Sequence, residues 1–293
     1  KEVYWGLLIS SVMCCLVPVI HSPVLIAAAW AVNGFAQAMI WPPIVKIIAY
    51  SVPENDYGKA VTTVCAGSSL ATISMCLLGP AVIKVSSWRF LFFITAGISF
   101  AVNIFWKKTM SAPSNDTEFG KPDKNDSNQN MNGFCYVLSA IIIVSIVLDG
   151  ILRDGITTWL PVMLVDNFHL SRQFSILISV VLPLFSFVIF SLVTFITNHL
   201  ISNEVLCAAM GFTICSILLF ILFYLGESGV VITTLILTLS NGLAHGINFL
   251  LISLVPRRLF HYGHAAFLSG IFNAGTYVGS AISAYGIAVF TDA

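Results

Sequence analysis

Apolar residues run through this chain in long blocks, and the polar residues that separate them come in short clusters. Nine blocks read as helical spans, at 4–20, 25–50, 59–83, 89–106, 133–164, 172–197, 204–225, 229–253 and 264–290. His21-Ser22-Pro23 turns the chain between the first two, and Trp88 and Trp106 bracket the fourth, where aromatic rings favour the membrane–water boundary. A helix needs ~20 apolar residues to cross hydrocarbon, and only helices and closed barrels satisfy their own backbone there. Uninterrupted blocks of this length, nine times over, predict an all-α membrane protein. The stretch 107–132 breaks the pattern: Lys, Asp, Asn, Ser and Pro dominate it, and it reads as a solvated linker.

Composition agrees with that class. Charged residues make up 9% of the 293 positions, against about 25% in an ordinary soluble domain. Lys and Arg number 13, as do Asp and Glu, and this balance argues against nucleic acid as a partner. The seven cysteines (14, 15, 65, 76, 135, 207 and 215) sit in or beside apolar blocks and form neither a Cys-x-x-Cys nor a Cys/His group. They read as small buried hydrophobes, so neither a metal nor another cofactor is expected. Nucleophile–base pairs and phosphate-binding glycine loops are equally lacking, which sets aside an enzyme and an ATP-driven pump. The chain opens on Lys1 directly before one apolar block and stops at Ala293 directly after another, so it reads as a piece of a longer protein.

Against this background one stretch stands out. Leu148 to Pro161 carries Asp149, Arg153 and Asp154 inside an otherwise uncharged block. The apolar run before it, Cys135 to Leu148, is 14 residues and too short to cross alone. The helix must continue through the charges, placing Arg153 at membrane depth. An ionisable group there costs at least ~2.5–3.5 kcal/mol unless it meets water, a partner or an anionic ligand. Asp149 and Arg153 stand four apart on one helix face, so the two are expected as neighbours and form an alternative, purely structural pair.

The chain also repeats itself. Asn33-Gly34-Phe35-Ala36-Gln37 returns as Asn241-Gly242-Leu243-Ala244-His245, and Tyr57-Gly58-Lys59-Ala60 returns as Tyr262-Gly263-His264-Ala265. Spans two and three thus recur six spans later, the plan of two parallel halves around a central site. Counted in sixes, 1–106 holds helices three to six of one half, 107–132 joins the halves, and 133–293 holds helices seven to eleven. Lys1, Lys46, Lys59, Lys107, Lys108, Lys121, Lys124, Arg257 and Arg258 fall on one side of the membrane. Only Lys84, Arg89 and Arg172 fall on the other, so the linker is expected in the cytoplasm, with the bundle in the plasma (inner) membrane.

These features resemble the major facilitator superfamily, twelve-helix transporters of two six-helix halves with a long cytoplasmic middle loop. Gln37-Ala38-Met39-Ile40-Trp41-Pro42-Pro43 resembles the Gln-Gly-Met-Gly-Trp-Pro-Pro of helix four in bacterial glycerol-3-phosphate and sugar-phosphate antiporters. Arg153-Asp154-Gly155-Ile156-Thr157-Thr158-Trp159 is similar to their helix-seven Arg-x-Gly-Ile-x-x-Trp. The resemblance implies a facilitator-type bundle, seen here as about nine of its helices, in which Arg153 grips phosphate. A guanidinium suits that role, since it stays charged and offers a planar fork to two oxygens. The resemblance also places Trp41 near the cavity and puts Ser68 where that branch carries a histidine in helix five. The departures are Ser68 in place of that histidine, the two carboxylates beside Arg153 with a glycine, Gly150, one turn before it, and Thr197-Asn198-His199 where that branch carries an Asp-plus-basic signature between helices eight and nine.

Candidate substrate-binding residues are therefore Arg153, Asp149, Asp154, Trp41, Gln37, Ser68, Asn241 and His245. Asn33, Gln37, Asn241 and His245 lie at equivalent places in the two repeats, where cavity lining competes with ordinary polar contacts between helices. Gly270, Gly275, Gly279 and Ser280 read as permitting close helix packing. The leading expectation is a monomeric secondary transporter in the lipid bilayer, exchanging a small anionic metabolite such as an organophosphate or sugar phosphate, in exchange for phosphate, by alternating access. The alternatives are a proton-coupled carrier of a non-phosphorylated solute, with Asp149 or Asp154 as the proton site, and a transporter-like sensor of sugar phosphate.

Overall fold

The computed structural model describes residues 1–53, 56–110, 133–226, 229–258 and 265–291. Every regular element among them is helical: α1 (Glu2–Leu16), α2 (Pro23–Ala38), α3 (Trp41–Ser51), α4 (Tyr57–Val85), α5 (Trp88–Met110) and α6 (Gly133–Asp166). There follow α7 (Arg172–Ile178), α8 (Val181–His199), α9 (Glu204–Leu225), α10 (Val230–Phe249) and a π turn (Leu250–Leu254). Last come α11 (Val255–Arg258) and α12 (Ala265–Thr291). Among the described residues seven stretches are long and apolar enough to cross a membrane, the first of them running from Pro23 to Ile48. The first apolar block yields only the 15 residues of α1, while α12 is long enough at 27 residues but carries Asn273, Thr276, Ser280 and Ser283 along its length.

Three expected spans are each interrupted. The block at 25–50 breaks between α2 and α3, where Pro42 and Pro43 occupy the first turn of α3, the place in a helix that needs no backbone donor. The block at 172–197 divides into α7 and α8, with the Ser171 side chain capping the start by accepting from the Phe174 amide at 3.3 Å. The block at 229–253 widens into the π turn. α5 continues through Lys107 and Lys108 to Met110, into the stretch read as a linker at 107–132; the rest of that stretch, 111–132, lies outside the described residues. The second repeat motif at Tyr262 also lies outside them.

The chain divides into two compact units, Lys1–Glu54 with Leu77–Lys121, and Asn55–Cys76 with Pro122–Ala293. In the first, α1 lies against α2 and α5 through a stripe of small residues. Gly6 lets the Ala36 carbonyl approach to a distance that a Cβ would close to 2.7 Å. Ser10 Oγ donates to Asn33 Oδ1 at 2.7 Å, and Ser11 shares a 2.8 Å hydroxyl–hydroxyl bond with Ser99 of α5. Small residues with hydroxyls are how helices associate where hydrocarbon removes the hydrophobic drive.

The second unit is built around α6, α10 and α12. α6 and α12 meet at Gly150 and Gly279, each standing where a Cβ would collide with the backbone of the other helix. α10 lies beside α6, α8 and α9, and its Gly242 and Gly246 receive Phe185, Ile189 and Val193 from α8. Toward one end Leu160 and Leu164 of α6 join Leu182 and Leu237 in an apolar cluster. The π turn loosens the carbonyl ladder, and two of its carbonyls find other donors: Ser253 O accepts from Tyr57 Oη at 3.0 Å and Ile252 O from Ser269 Oγ at 3.2 Å.

The glycine pair gives a direct test of this arrangement. Gly150→Ala or Gly279→Ala forces backbone against backbone and should destabilise the protein by on the order of 3 kcal/mol. Gly286→Ala, further along α12 with nothing within 4 Å of its would-be Cβ, should leave the thermal unfolding midpoint in detergent unchanged or raise it slightly.

Candidate functional site

Asp149 and Arg153 flank the middle of α6, a helix of 34 residues. At ~1.5 Å per residue such a helix is ~50 Å long, so both sit far from either end. Their side chains part ways. The Arg153 guanidinium bends to its sequence neighbour and donates through Nε to Asp154 Oδ1 at 2.7 Å and through Nη2 to Asp154 Oδ2 at 2.9 Å. This two-pronged pair is the strongest form of such a bond, and Arg153 is 14% exposed against 29% for Asp154. Ser280 of α12 donates its hydroxyl to Asp154 Oδ2 as well.

The expected Asp149–Arg153 pair does not form. Asp149 is fully buried and turns to α10, where Oδ2 accepts from Asn248 Nδ2 at 3.1 Å. The same amide nitrogen reaches Thr276 Oγ1 of α12 at 3.1 Å, so one asparagine ties three helices together. Asp149 Oδ1 has no hydrogen-bond partner among the described residues. Sharing a helix face makes i and i+4 side chains neighbours, but the adjacent Asp154 offers Arg153 both oxygens at once, and Asp149 is held elsewhere.

Asn241, fully buried, donates through Nδ2 to the Arg153 carbonyl at 2.8 Å and to Thr157 Oγ1 at 3.0 Å. It thereby fixes the backbone beneath the guanidinium rather than lining open space. His245, one turn further along α10, is half-buried, stands edge-on to Phe190 at 6.0 Å between ring centres, and lies within electrostatic range of Arg153 and Asp154. The remaining candidates are placed otherwise. Ser68 is an exposed residue of α4 whose carbonyl accepts from Thr72 at 3.1 Å. Gln37 and Trp41 belong to the first unit, Gln37 exposed and Trp41 half-buried with no partner for its Nε1 among the described residues. Asn33, the repeat partner of Asn241, is buried and spends its Oδ1 on Ser10.

The structure thus gathers Arg153, Asp154, Asp149, Asn241 and His245 and adds Asn248, Thr276 and Thr157, which sequence reasoning passed over, and Ser280, which the sequence suggests only as a packing residue. A signal for Asn248 existed, because Asn241, His245 and Asn248 recur at i, i+4 and i+7 and so share one face of α10. Thr276 and Ser280 stand likewise on one face of α12.

With this geometry in view, similarity to known proteins is informative. The family described as Major Facilitator Superfamily matches residues 3–284. The chain belongs to this superfamily. Within curated proteins, it is 27% identical over 103 residues to a probable small intestine urate exporter of Mus musculus, covering 34% of this chain and 21% of that protein. It is 27% identical over 104 residues to probable anion transporter 7 of Oryza sativa subsp. japonica, covering 35% of this chain and 24% of that one. The aligned stretch therefore spans about a fifth to a quarter of those relatives. Among solved structures, a bacterial homologue of the iron transporter ferroportin, in an outward-facing state, superposes with a TM-score of 0.51 at 12% identity. That match covers 99% of this chain and 82% of the other, a likeness of fold.

The ion pair of this superfamily member can be separated from its fold. Arg153→Gln alone leaves a partly buried carboxylate without its cation and should cost on the order of 3 kcal/mol. Arg153→Gln combined with Asp154→Asn removes both charges and should recover most of that loss. Thermal unfolding of the single and double variants in detergent gives the comparison.

Proposed function

We propose that this protein is a secondary active transporter that carries a small anionic metabolite across the plasma membrane by alternating access, with Arg153 as the group that grips the anion. The carrying observation is the guanidinium at the middle of α6 with its planar fork set on the two oxygens of a carboxylate, Asp154. A carboxylate and a phosphate ester present oxygens at similar spacing, so a substrate anion fits the fork once Asp154 yields it. Superfamily membership supports a carrier, and the urate and anion carriers among the relatives support an anionic cargo. The motif around Trp41 and the helix-seven motif at Arg153 favour an organophosphate or sugar phosphate, exchanged for inorganic phosphate.

In this reading 1–106 and 133–293 belong to the two six-helix halves, the Lys- and Arg-rich loops face the cytoplasm, and the protein works as a monomer. Asn241 and Thr157 hold the Arg153 backbone rigid, so the fork keeps its aim as ligands exchange.

The test is counterflow in lipid vesicles containing the full chain, with labelled glycerol 3-phosphate, glucose 6-phosphate, inorganic phosphate and urate. At least one phosphate ester should exchange. Arg153→Lys keeps the charge and loses the fork, and apparent affinity should fall about ten- to a hundredfold, the equivalent of one charge-assisted contact. Exchange of urate alone would move the cargo to another class of anion, and undiminished exchange by Arg153→Lys would remove Arg153 from the site.

A further inference from the structure

Side-chain hydroxyls inside these helices as a rule return to the carbonyl four residues back: Thr157, Ser186, Thr194, Ser216 and Ser280 all do so, at 2.9–3.0 Å. α10 departs from this. Thr234, 8% exposed, and Thr238, 2% exposed, carry hydroxyls without a hydrogen-bond partner among the described residues. Asn241, fully buried, keeps its Oδ1 in the same state, while its Nδ2 is spent on Arg153 and Thr157. The three stand at i, i+4 and i+7 and so form one stripe of the helix, which His245 and Asn248 continue. A buried oxygen left unpaired is costly, and three on one stripe call for a partner.

The stripe has a definite place. Asn241 bonds Thr157 of α6, His245 meets Phe190 of α8 edge-on, and Gly242 beside it receives Phe185 of α8, so the stripe follows the seam between α6 and α8. It starts at Arg153, whose carbonyl Asn241 holds. From there Thr238 and Thr234 lead away along α10 over ~10 Å, at ~1.5 Å per residue. Leu160, Leu164, Leu182 and Leu237 close the seam beside them with apolar side chains. Thr233 and Ser240 also carry unpaired hydroxyls, but on the face of α10 that meets α9, where Cys215 donates to the Ser240 carbonyl and Ile247 packs on Gly211.

We propose that this stripe is the subsite for the hydroxyl-bearing part of the substrate: Arg153 holds the anionic head, and Asn241 Oδ1 with the Thr238 and Thr234 hydroxyls binds the alcohol groups of a polyol or sugar body once the apolar seam parts. This rests on the transport reading above and narrows its cargo from any small anion to one with a polyhydroxylated tail. The chemistry matches group by group. Asn241 Oδ1 only accepts, so it takes an O–H. A threonine hydroxyl donates and accepts, as a sugar hydroxyl does, and pairs with it in either sense. A site that meets its ligand through buried hydrogen-bonding groups discriminates strongly against analogues lacking them, because those groups then stay unpaired. A bare oxyanion satisfies Arg153 alone, whereas a hydroxylated anion satisfies Arg153 and the stripe.

Thr238→Val and Thr234→Val keep the shape of the side chain and each remove one unpaired buried oxygen. Without ligand, the variants should therefore unfold in detergent at the natural protein's temperature or above it. Competition in counterflow, with the full chain in lipid vesicles, then reads the subsite. Apparent affinity for glucose 6-phosphate should fall about two- to tenfold per hydroxyl removed, relative to that for inorganic phosphate, the worth of one neutral hydrogen bond. Thr233→Val, on the α9 face, should leave that ratio unchanged. Should Thr238→Val fail to fold, Thr234→Val carries the same comparison.

Equal losses for glucose 6-phosphate and inorganic phosphate, or a lowered unfolding temperature with unaltered selectivity, make the stripe structural and overturn the proposal. Exchange of phosphate esters with a ratio that neither valine alters removes this subsite and leaves the transport reading in place. If no phosphate compound exchanges, it is the phosphate reading that has failed, and a pair of carboxylates decides the stripe. Gluconate and hexanoate share a carboxylate and differ in hydroxyls. A rise in unfolding temperature with gluconate, smaller in Thr238→Val or Thr234→Val and lacking with hexanoate, upholds the subsite. Equal effects of the two carboxylates, whether large or nil, overturn it.

Discussion

The interaction on which the second unit depends is the burial of a guanidinium halfway along a membrane helix. Arg153 cannot shed its charge, so everything near it must accommodate that charge. Asp154 supplies the counter-charge, and Ser280 of α12 supports Asp154 from the facing helix. Asn241 of α10 takes the Arg153 carbonyl and the Thr157 hydroxyl. These contacts need α6, α10 and α12 at short range, and short range needs glycine. Gly150 and Gly279 let α6 and α12 touch backbone to backbone, close enough for the short side chain of Ser280 to reach Asp154 across the seam. The order of cause runs from glycine to close approach, then to polar contact, and finally to a charge that can be tolerated.

α10 shows the same logic applied along a whole helix. One face presents Asn241, His245 and Asn248 toward the cluster, while Gly242 and Gly246 accept bulky side chains of α8. Past Asn248 the helix widens into a π turn whose freed carbonyls are taken up by Tyr57 and Ser269. π turns leave a helix locally soft, since one register of the ladder is already lost. The polar stripe and the soft turn are adjacent, so in the proposed transporter a change at Asp149 and a change in the course of α10 involve the same few residues.

How much of this was legible beforehand divides along physical lines. Helical spans were, because hydrocarbon demands long apolar runs, and their ends fell within a few residues of the blocks. Internal breaks were not: the block at 25–50 reads as one span although Pro42-Pro43 opens α3 inside it, and nothing in Leu250–Leu254 announces a π turn. Of the candidate residues, the charged ones stood out because charges are rare in the spans. Which carboxylate Arg153 would choose was not legible, since helical spacing favours Asp149 while side-chain reach and the pull of Asn248 favour Asp154. Asn248 and Thr276 were hidden because neutral polar residues are common in these helices, and only the rotation of α10 and α12 decides which of them meet. Ser68 and Gln37 illustrate the converse, being polar, well placed in the resemblance, and exposed in the structure.

A fork already filled by an internal carboxylate has a consequence for how such a site would work. A carrier must bind its cargo well enough to select it and weakly enough to let it go on the other side. An empty buried guanidinium would attract any anion strongly, and release would be correspondingly slow. In the proposed transporter Asp154 would set the baseline: a substrate would gain only the difference between its own hold on Arg153 and that of the carboxylate it displaces, because most of the gross electrostatic gain is already present in the resting pair. Discrimination then comes from what Asp154 cannot offer, such as a second negative charge or additional oxygens, while release is assisted by a carboxylate waiting one residue away. The adjacent position of Asp154 matters here. A counter-ion on another helix would move relative to Arg153 as the helices shift, whereas Asp154, a neighbour on α6, would travel with it and keep a carboxylate within reach of the guanidinium throughout the proposed cycle.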